Sequence, residues 1–364
     1  MLLSRRGLVA AAGLLAPQLP ATRAEAKPPA GYPRSYKNLI AAAEKEGRLV
    51  VYANTDTASM AGTLNDFRLA YPRIRVRYEE LSASDLYRRF IAENAKGPAS
   101  ADLVWSSAMD LQAKLINDGY AQAYGSPEKP NLPSWAVWKN EGWGVTAEPI
   151  VFAYNKALMA AKDVPGSHEA FERLLRTKPK AYRGKVATYD PAKSGVGFLY
   201  LSQDLRVSRD TWKLIRALGA VEPRLYDSTL AMIDKLAAGE HLLSYNVIGS
   251  YVLERAKRDP SIGIVFPADY TQVMSRIAFI SKEARNPNAA RLFLDHLLSR
   301  RGQQQLAARS MGPVRIDMPN SGVPAPRPDQ IQAIPVGPGL LANLDQIKRA
   351  RFLRDWNKAL GRDG

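Results

Sequence analysis

Small polar residues follow a short apolar segment near residue 50 of this 364-residue chain. The segment 49–52 predicts a strand, and apolar side chains at helical spacing over 60–71 predict a helix after it. The residues at the junction are Thr55, Asp56 and Thr57. A helix N-terminus presents unpaired N–H groups at the positive end of its dipole, and small side chains there leave room for a ligand. The junction therefore indicates either an anion-binding site or a simple helix N-cap.

The same pattern recurs at three later junctions. Ser106 and Ser107 follow the predicted strand 103–105, and Tyr245 and Asn246 lie at the end of the predicted strand 242–245. The third junction, Tyr-Asp-Pro-Ala-Lys-Ser-Gly-Val-Gly, contains Asp190, Ser194 and Gly195. Ligands bind open α/β sheets at the carboxyl ends of the strands, so we expect the four junctions to meet at one cleft.

The order of the predicted elements indicates the fold class. Predicted strands and helices alternate along the chain, which favours an α/β fold with a largely parallel sheet. The chain is too long for one comfortable core, so two lobes are expected. The long apolar segment 145–155 is predicted to leave the first lobe for the second. The predicted boundaries are 27–150 and 268–315 for lobe 1, and 151–267 and 316–364 for lobe 2. A Pro-rich segment, 313–338, is expected to wrap the surface before a terminal amphipathic helix at 341–360.

The first 26 residues have the pattern of a secretory signal peptide. Arg5 and Arg6 precede an apolar run over 7–16, and Ala24-Glu25-Ala26 supplies a cleavage pattern of small residues. The apolar run is too short to span a bilayer. We expect export to the periplasm with cleavage near residue 26, by the twin-arginine or the Sec route.

The charge of the chain favours anionic partners. Lys and Arg number 51 against 35 Asp and Glu, a formal net charge of +16. Removal of three arginines and one glutamate with the signal peptide would lower this charge to +14. The surplus favours an acidic small molecule, or serves only solubility. Nucleic acid is not an expected partner, because the protein is exported and its basic residues are dispersed. The absence of cysteine excludes disulfides, thiolate nucleophiles and Cys-based metal sites.

Several stretches carry a family resemblance that extends from about residue 49 to residue 306. They are LVVYANTDTAS, ADLVWSSAMDLQAKLINDGY, GVTAEPIVFAYNK, YRGKVATYDPAKSGVGFLYL, LAAGEHLLSYNVIGSYV and NPNAARLFLDHLLSRRGQQQLA. The chain resembles the periplasmic substrate-binding proteins of ABC importers, in the type II cluster that includes ferric-ion, sugar-phosphate and phosphonate binders. The resemblance implies a monomer with two lobes joined by crossing strands and a cleft that closes on its ligand. It also implies delivery to a permease in the inner membrane, with no catalytic residue, metal or cofactor.

Within this family, the sequence favours an organic anion over iron. Ferric binders of the cluster offer an adjacent Tyr-Tyr pair where this chain has Val247 and Ile248. Asp56 stands where a His is often found, and Ser106 and Ser107 stand where a Glu is expected. Hard Fe(III) needs several anionic oxygen ligands. A phosphorylated or phosphonate-like solute is therefore predicted.

The predicted ligand-binding set divides by role. The expected anion contacts are Thr55, Thr57, Ser106, Ser107, Ser194 and Gly195. The expected contacts to other polar groups are Glu148, Asp190, Tyr245 and Asn246, and Asp56 belongs to the predicted set without an assigned role. Three alternatives stay open: a ferric or iron-chelate binder, a periplasmic sensor that signals to a membrane kinase, and a hydrolase. The iron alternative would use Asp56, Glu148, Tyr245 and Tyr251. The hydrolase has no G-x-S-x-G motif or metal cluster in the sequence to support it.

Overall fold

The computed structural model describes residues 28–97, 100–319 and 321–362, so the predicted signal peptide lies outside the described residues. The strands are β1 (Arg48–Ala53), β2 (Arg75–Glu80), β3 (Leu103–Ser106), β4 (Val137–Trp138), β5 (Gly142–Gly144), β6 (Glu148–Asn155), β7 (Val186–Tyr189), β8 (Arg224–Tyr226), β9 (Leu243–Ile248), β10 (Ile262–Val265), β11 (Thr271–Met274), β12 (Ile277–Ile280) and β13 (Ile331–Ala333). The α-helices are α1 (Tyr36–Glu46), α2 (Thr57–Ala70), α3 (Ala83–Asn94), α4 (Met109–Asn117), α5 (His168–Thr177), α6 (Pro179–Tyr182), α7 (Gly195–Val207), α8 (Thr211–Ala220), α9 (Thr229–Ala237), α10 (Gly249–Ala256), α11 (Pro287–Leu298), α12 (Arg300–Ala308) and α13 (Gln346–Ala359).

The strands form two sheets, as an α/β protein with two lobes requires. The first sheet has the order β2-β1-β3-β12-β5-β4. The second has the order β13-β11-β6-β9-β7-β8, with β10 paired to the free end of β6. The α/β class is confirmed.

The expectation of largely parallel sheets is wrong, because both sheets are mixed. Strands linked by helical crossovers pair in parallel, as β1 does with β2 and β3, and β7 with β9. The strands next to the passages between the sheets pair antiparallel: β12 with β3 and β5, and β6 with β9 and β11. These strands do not return through a βαβ crossover, which is the connection that imposes parallel pairing.

Over the described residues, the chain passes between the sheets three times. Two of these passages, 145–147 and 275–276, are neighbours, because Val145 N donates to the Arg276 carbonyl at 2.9 Å, and the third lies between α12 and β13. The predicted boundaries assigned 268–315 to lobe 1, but β11 hydrogen-bonds to β6 and β13 in the second sheet. We therefore propose lobe boundaries at 145–147, at 275–276 and between α12 and β13. A third segment lies against the first passage, where Pro313 bridges Thr146 and the Ala147 N–H donates to the Gly312 carbonyl at 2.7 Å.

Burial follows the position of each strand in its sheet. The central strands β3 and β12 are buried throughout, which explains their continuous apolar sequences. The edge strand β2 exposes Arg75 and Arg77 and buries Val76 between them, as expected of a strand with one face on the core and one in solvent. Trp105 and Trp143 are the largest side chains in the core of the first sheet.

The C-terminal region differs from its prediction. The predicted helix over 341–360 consists of two elements. A 3-10 helix, Pro338–Leu344, comes first, and α13 follows it with Asp345 as its N-cap. The Pro-rich segment before it contributes β13 to the second sheet, so it does more than wrap the surface. Phe352 and Trp356 anchor α13 in the core of the second sheet. Within the described residues, the helices lack the length and apolar character that a membrane span requires.

Gly312 packs against the first passage, 145–147, so we expect a side chain at this position to destabilise the protein. A Cβ at this residue would lie 2.1 Å from the Ala147 carbonyl oxygen, a contact that the paired backbone has no room to relieve. We expect Gly312→Ala to lower the free energy of unfolding by about 1–3 kcal/mol, measured by urea denaturation. Gly125→Ala is the matched control, because a Cβ there meets nothing within 4 Å. Equal stabilities for the two variants would contradict this account of the passage.

Candidate ligand-binding site

A cavity of about 700 Å³ lies where helices from the two sheets meet. Its volume is in the range that takes a small organic ligand. The first-sheet side is formed by the beginnings of α3 and α4, and the second-sheet side by the beginnings of α7, α9 and α10. We call this cavity the cleft.

The positive ends of five helices therefore face one space. Side-chain oxygens cap three of these helices: Ser82 accepts from Asp85 N, Ser194 from Gly197 N and Ser228 from Ala231 N. The N-cap residues of α4 and α10, Ala108 and Ile248, make no side-chain hydrogen bond to the helix N-terminus. Aligned peptide dipoles at helix N-termini favour bound anions.

The segment 334–349, which we call the C-terminal strap, closes one side of the cleft. It contacts the first-sheet side, where Val336 N donates to the Trp135 carbonyl at 2.8 Å and the 3-10 helix packs against α4. It also contacts α7 of the second-sheet side, where the Asn343 Oδ1 accepts from Ser202 Oγ at 3.2 Å. The strap residues that line the cleft are Asn343, Leu344, Gln346 and Arg349.

Arg349 is the strap residue best placed to bind an anion. Its Nη2 donates to the carbonyls of Pro191 and Ala192 at 2.9 and 3.2 Å, which fixes the guanidinium beside the N-terminus of α7. The guanidinium carbon lies 4.6 Å from the centre of the Phe198 ring. Within the described part of the chain, Nε and Nη1 donate to no protein acceptor and Arg349 forms no ion pair. These N–H groups are free to bind a ligand.

Three of the predicted residues line the cleft. Ser107 stands at the start of α4, with its Oγ accepting from Asn54 Nδ2 at 2.8 Å. Ser194 and Gly195 form the start of α7. A Cβ on Gly195 would meet nothing within 4 Å, so this residue leaves the helix N-terminus open to the cleft.

Five predicted residues at the junctions lie outside the cleft lining and hydrogen-bond to other groups of the protein. Asp56 caps α2 by accepting from Ser59 N at 2.7 Å, and Thr57 bonds Glu80. For Asp56, the N-cap alternative describes the structure. The remaining three are Thr55, which accepts from Arg276, Ser106, which accepts from Ala108 N, and Asp190, which accepts from Ala192 N.

Tyr245 and Asn246 also lie outside the cleft, which corrects their predicted placement. Both side chains donate to the buried carboxylate of Asp204, at 2.7 and 2.6 Å. Tyr270 and Gln272 donate to the same carboxylate. This fully buried cluster is a packing feature of the second sheet, so we leave both residues out of the proposed site.

Glu148 is buried in an ion pair rather than exposed to a ligand. Arg276 Nε donates to its Oε1 at 2.8 Å, and both side chains are almost fully inaccessible to solvent. Thr146 and Ser250 also donate to the Glu148 carboxylate. Burial alone would raise the pKa of Glu148, but the Arg276 guanidinium and these hydrogen bonds hold the pKa below its usual range.

Arg276 also contacts one residue beside each of the two sheets. Its Nη1 donates to Thr55 Oγ1 at 3.0 Å, and its guanidinium lies 5.6 Å from the centre of the Tyr251 ring. Sequence reasoning missed this residue, although an arginine directly before the apolar run 277–280 was a signal for a buried charge pair.

A larger cavity of about 860 Å³ lies beside the first sheet, near Tyr32 and α12. Its cationic residues already have partners: Arg301 pairs with Asp66, and Arg315 with Glu128. The beginnings of only two α-helices, α1 and α12, line it among the described residues, against five in the cleft, so the chemistry of the lining favours the smaller cavity.

Comparison with known proteins agrees with this architecture. Residues 63–333 match the family model described as bacterial extracellular solute-binding protein. The chain belongs to this family. The crystal structure of the substrate-binding protein of an ABC transporter from Agrobacterium tumefaciens is 36% identical, with a TM-score of 0.79, over 88% of this chain and 97% of that one.

More distant structures share the fold and differ in ligand. AfuA from Actinobacillus pleuropneumoniae, solved with exogenous fructose-6-phosphate bound, is 19% identical with a TM-score of 0.66, over 86% of this chain and 99% of that one. Iron-bound HitA from Pseudomonas aeruginosa is 17% identical with a TM-score of 0.66, over the same shares. The type II periplasmic-binding fold of this chain is thereby confirmed.

The residues of the iron alternative are dispersed in the structure. Asp56 caps a helix, Glu148 pairs with Arg276, and Tyr245 bonds Asp204, while Tyr251 alone lines the cleft. Among the described residues, no group of three or more His, Asp or Glu side chains is arranged to hold a metal ion.

The Glu148–Arg276 pair gives a prediction about stability. Glu148→Leu leaves the Arg276 charge buried without its partner, so we expect it to lower the free energy of unfolding by about 3–5 kcal/mol in urea denaturation. The double variant Glu148→Leu/Arg276→Met removes both charges and should recover most of this loss. Arg183→Met, in the exposed pair with Glu222, is the control and should hardly change the denaturation midpoint. A double variant as unstable as Glu148→Leu would contradict the charge-pair account.

Proposed function

We propose that this protein is the periplasmic solute-binding component of an ABC importer, and that its cleft binds a small organic anion, phosphorylated or phosphonate-like. The observation that supports this ligand class is the convergence on one cavity of five helix N-termini and of Arg349, which forms no ion pair with the described residues. Such groups bind an oxyanion through N–H donors that need no rearrangement.

The rest of the lining favours an organic ligand over a bare inorganic ion. Apolar side chains contribute to both sides of the cleft and to the strap; they are Leu111, Val196, Leu230, Ile248 and Leu344. A cavity of about 700 Å³ has room for a carbon skeleton beside the anionic group. Fructose-6-phosphate bound to AfuA is a ligand of this kind on the same fold.

The proposed cycle follows from the two neighbouring passages between the sheets. The lobes close about 145–147 and 275–276, enclose the solute, and present the closed form to the permease. Export with cleavage near residue 26 and a monomeric state remain predictions from the sequence.

Direct identification of the ligand tests the proposal. The chain from residue 27 onward is purified without phosphate buffer, examined by native mass spectrometry, and then denatured so that any released molecule can be identified. An organic phosphate or phosphonate is the expected result. Bound iron, alone or with citrate, would overturn the proposed ligand class.

A melting-temperature panel provides an independent test. The probes are fructose-6-phosphate, glycerol phosphate and ethylphosphonate at millimolar concentration, with fructose and glycerol as uncharged controls. We expect at least one anion to raise the melting temperature, because a ligand that binds the folded form stabilises it, and neither uncharged control to do so. No shift with any anion would contradict the anion proposal.

Arg349 gives the site-specific prediction. Arg349→Gln removes a charged donor beside the α7 N-terminus, so the dissociation constant for whichever panel anion binds should rise by about tenfold or more in calorimetry. Arg354→Gln is the control, because it removes the same charge from the exposed face of the same helix. Equal losses in the two variants would show that net charge, rather than contact by Arg349, determines affinity.

A further inference from the structure

Asp110 is a buried carboxylate that lines the cleft and that neither the sequence pattern nor the family match assigns to a role. It lies in the first turn of α4 and is 6% exposed. Its one hydrogen bond to another residue in the described part of the chain is accepted by Oδ1, from Leu111 N at 2.9 Å. Oδ2 accepts no hydrogen bond from those residues.

Neither an N-cap role nor an ion pair explains this carboxylate. Asp110 is not the N-cap of α4, since Ala108 holds that position, and it forms no ion pair with the described residues. Burial raises its pKa to about 6, although the backbone N–H groups of α4 and the nearby Arg349 charge act in the opposite direction. A carboxylate held in this way lacks hydrogen-bond donors, and a ligand in the cleft can supply them.

We propose that Asp110 accepts a hydrogen bond from an ammonium or hydroxyl group of the solute whose oxyanion is bound at the helix N-termini and Arg349. This inference rests on the proposed function and narrows its ligand class. The solute is then an amino- or hydroxy-substituted organic phosphate or phosphonate, not a simple alkyl one.

The placement of the two ends follows from the elements that carry the contacts. Asp110 lies on the first-sheet side of the cleft, whereas Lys193 and Gly195 lie on the second-sheet side, near Arg349 of the strap. A solute with a donor at one end and an anion at the other therefore contacts both sides at once. The other carboxylate in the lining, Asp227, is exposed to solvent, so it offers less for discrimination between solutes.

The test uses pairs of probes that differ only in the donor group. The pairs are aminoethylphosphonate with ethylphosphonate, and glycerol phosphate with propyl phosphate, each titrated calorimetrically at about pH 7.5. Asp110→Asn removes the charge with little change of shape. Asp118→Asn, at the exposed end of the same helix, is the matched control.

The expected result is that Asp110→Asn weakens the binding of the donor-bearing probe but not the binding of its partner. The unmodified protein should bind the donor-bearing member of at least one pair about tenfold more tightly than its partner. Asp110→Asn should lose that preference while binding the partner anion at least as tightly as before, and Asp118→Asn should keep both. Retained binding of the simple anion also shows that Asp110→Asn is folded.

The preference for the ammonium-bearing probe over its partner should also depend on pH. As the pH falls from about 7.5 to about 5, Asp110 takes up a proton and the advantage of an ammonium group should shrink. The other charged groups that line the cleft are Lys193, Asp227 and Arg349. Both members of a pair carry the same phosphonate or phosphate group. The ratio of their dissociation constants therefore cancels the titration of that group.

The failures are distinguishable. If the simple anions bind but no pair shows a preference, or if the preference survives in Asp110→Asn, this inference is overturned and the proposed function stands. If neither these four probes nor fructose-6-phosphate binds, both are overturned.

Discussion

Glu148 and Arg276 form a buried ion pair where the chain passes between the two sheets. Glu148 begins β6 just after the first passage, and Arg276 lies in the second, between β11 and β12. An unpaired charge in this interior would cost several kcal/mol, so the two passages stay together only if both charges are satisfied. Thr146 and Ser250 complete the partners of the carboxylate, and Thr55 accepts a hydrogen bond from the guanidinium. The pair thus fixes the point about which the two sheets are arranged.

The same pair connects this point to the cleft. Thr55 belongs to the junction between β1 and α2 in the first sheet, and Tyr251 lies in α10 on the second-sheet side. The Arg276 side chain touches both, and Tyr251 lines the cleft. In the closure that we propose, the Glu148–Arg276 bonds lie at the pivot and persist, while contacts farther from it, such as those of the strap with α4 and α7, change. A hinge of this kind needs few residues to move.

The sequence predicted the parts of this structure that depend on local pattern. Alternating strands and helices were correct because hydrophobic periodicity is a local property, and Ser107, Ser194 and Gly195 lie in the cleft because each stands at a helix N-terminus. Tyr245 and Asn246 share that pattern but face the interior, because their direction is set by the buried Asp204, some forty residues earlier in the chain. Arg349 was beyond prediction, since its position beside Pro191 depends on the folded path of the strap.

In the proposed function, the net charge of the protein affects how fast an anion arrives, and the charge of the cleft affects how tightly it binds. The chain carries a large cationic surplus, yet the charged residues that line the cleft are two carboxylates, Asp110 and Asp227, and two cations, Lys193 and Arg349. Net charge within the cleft is therefore close to balanced, so in our proposal the anion is held by helix N-termini and oriented N–H groups rather than by excess cations. The surface surplus acts at longer range, on the rate at which anions arrive, and salt screens it. Selection among anions then belongs to the lining itself, where a buried carboxylate opposes any solute that cannot donate a hydrogen bond to it.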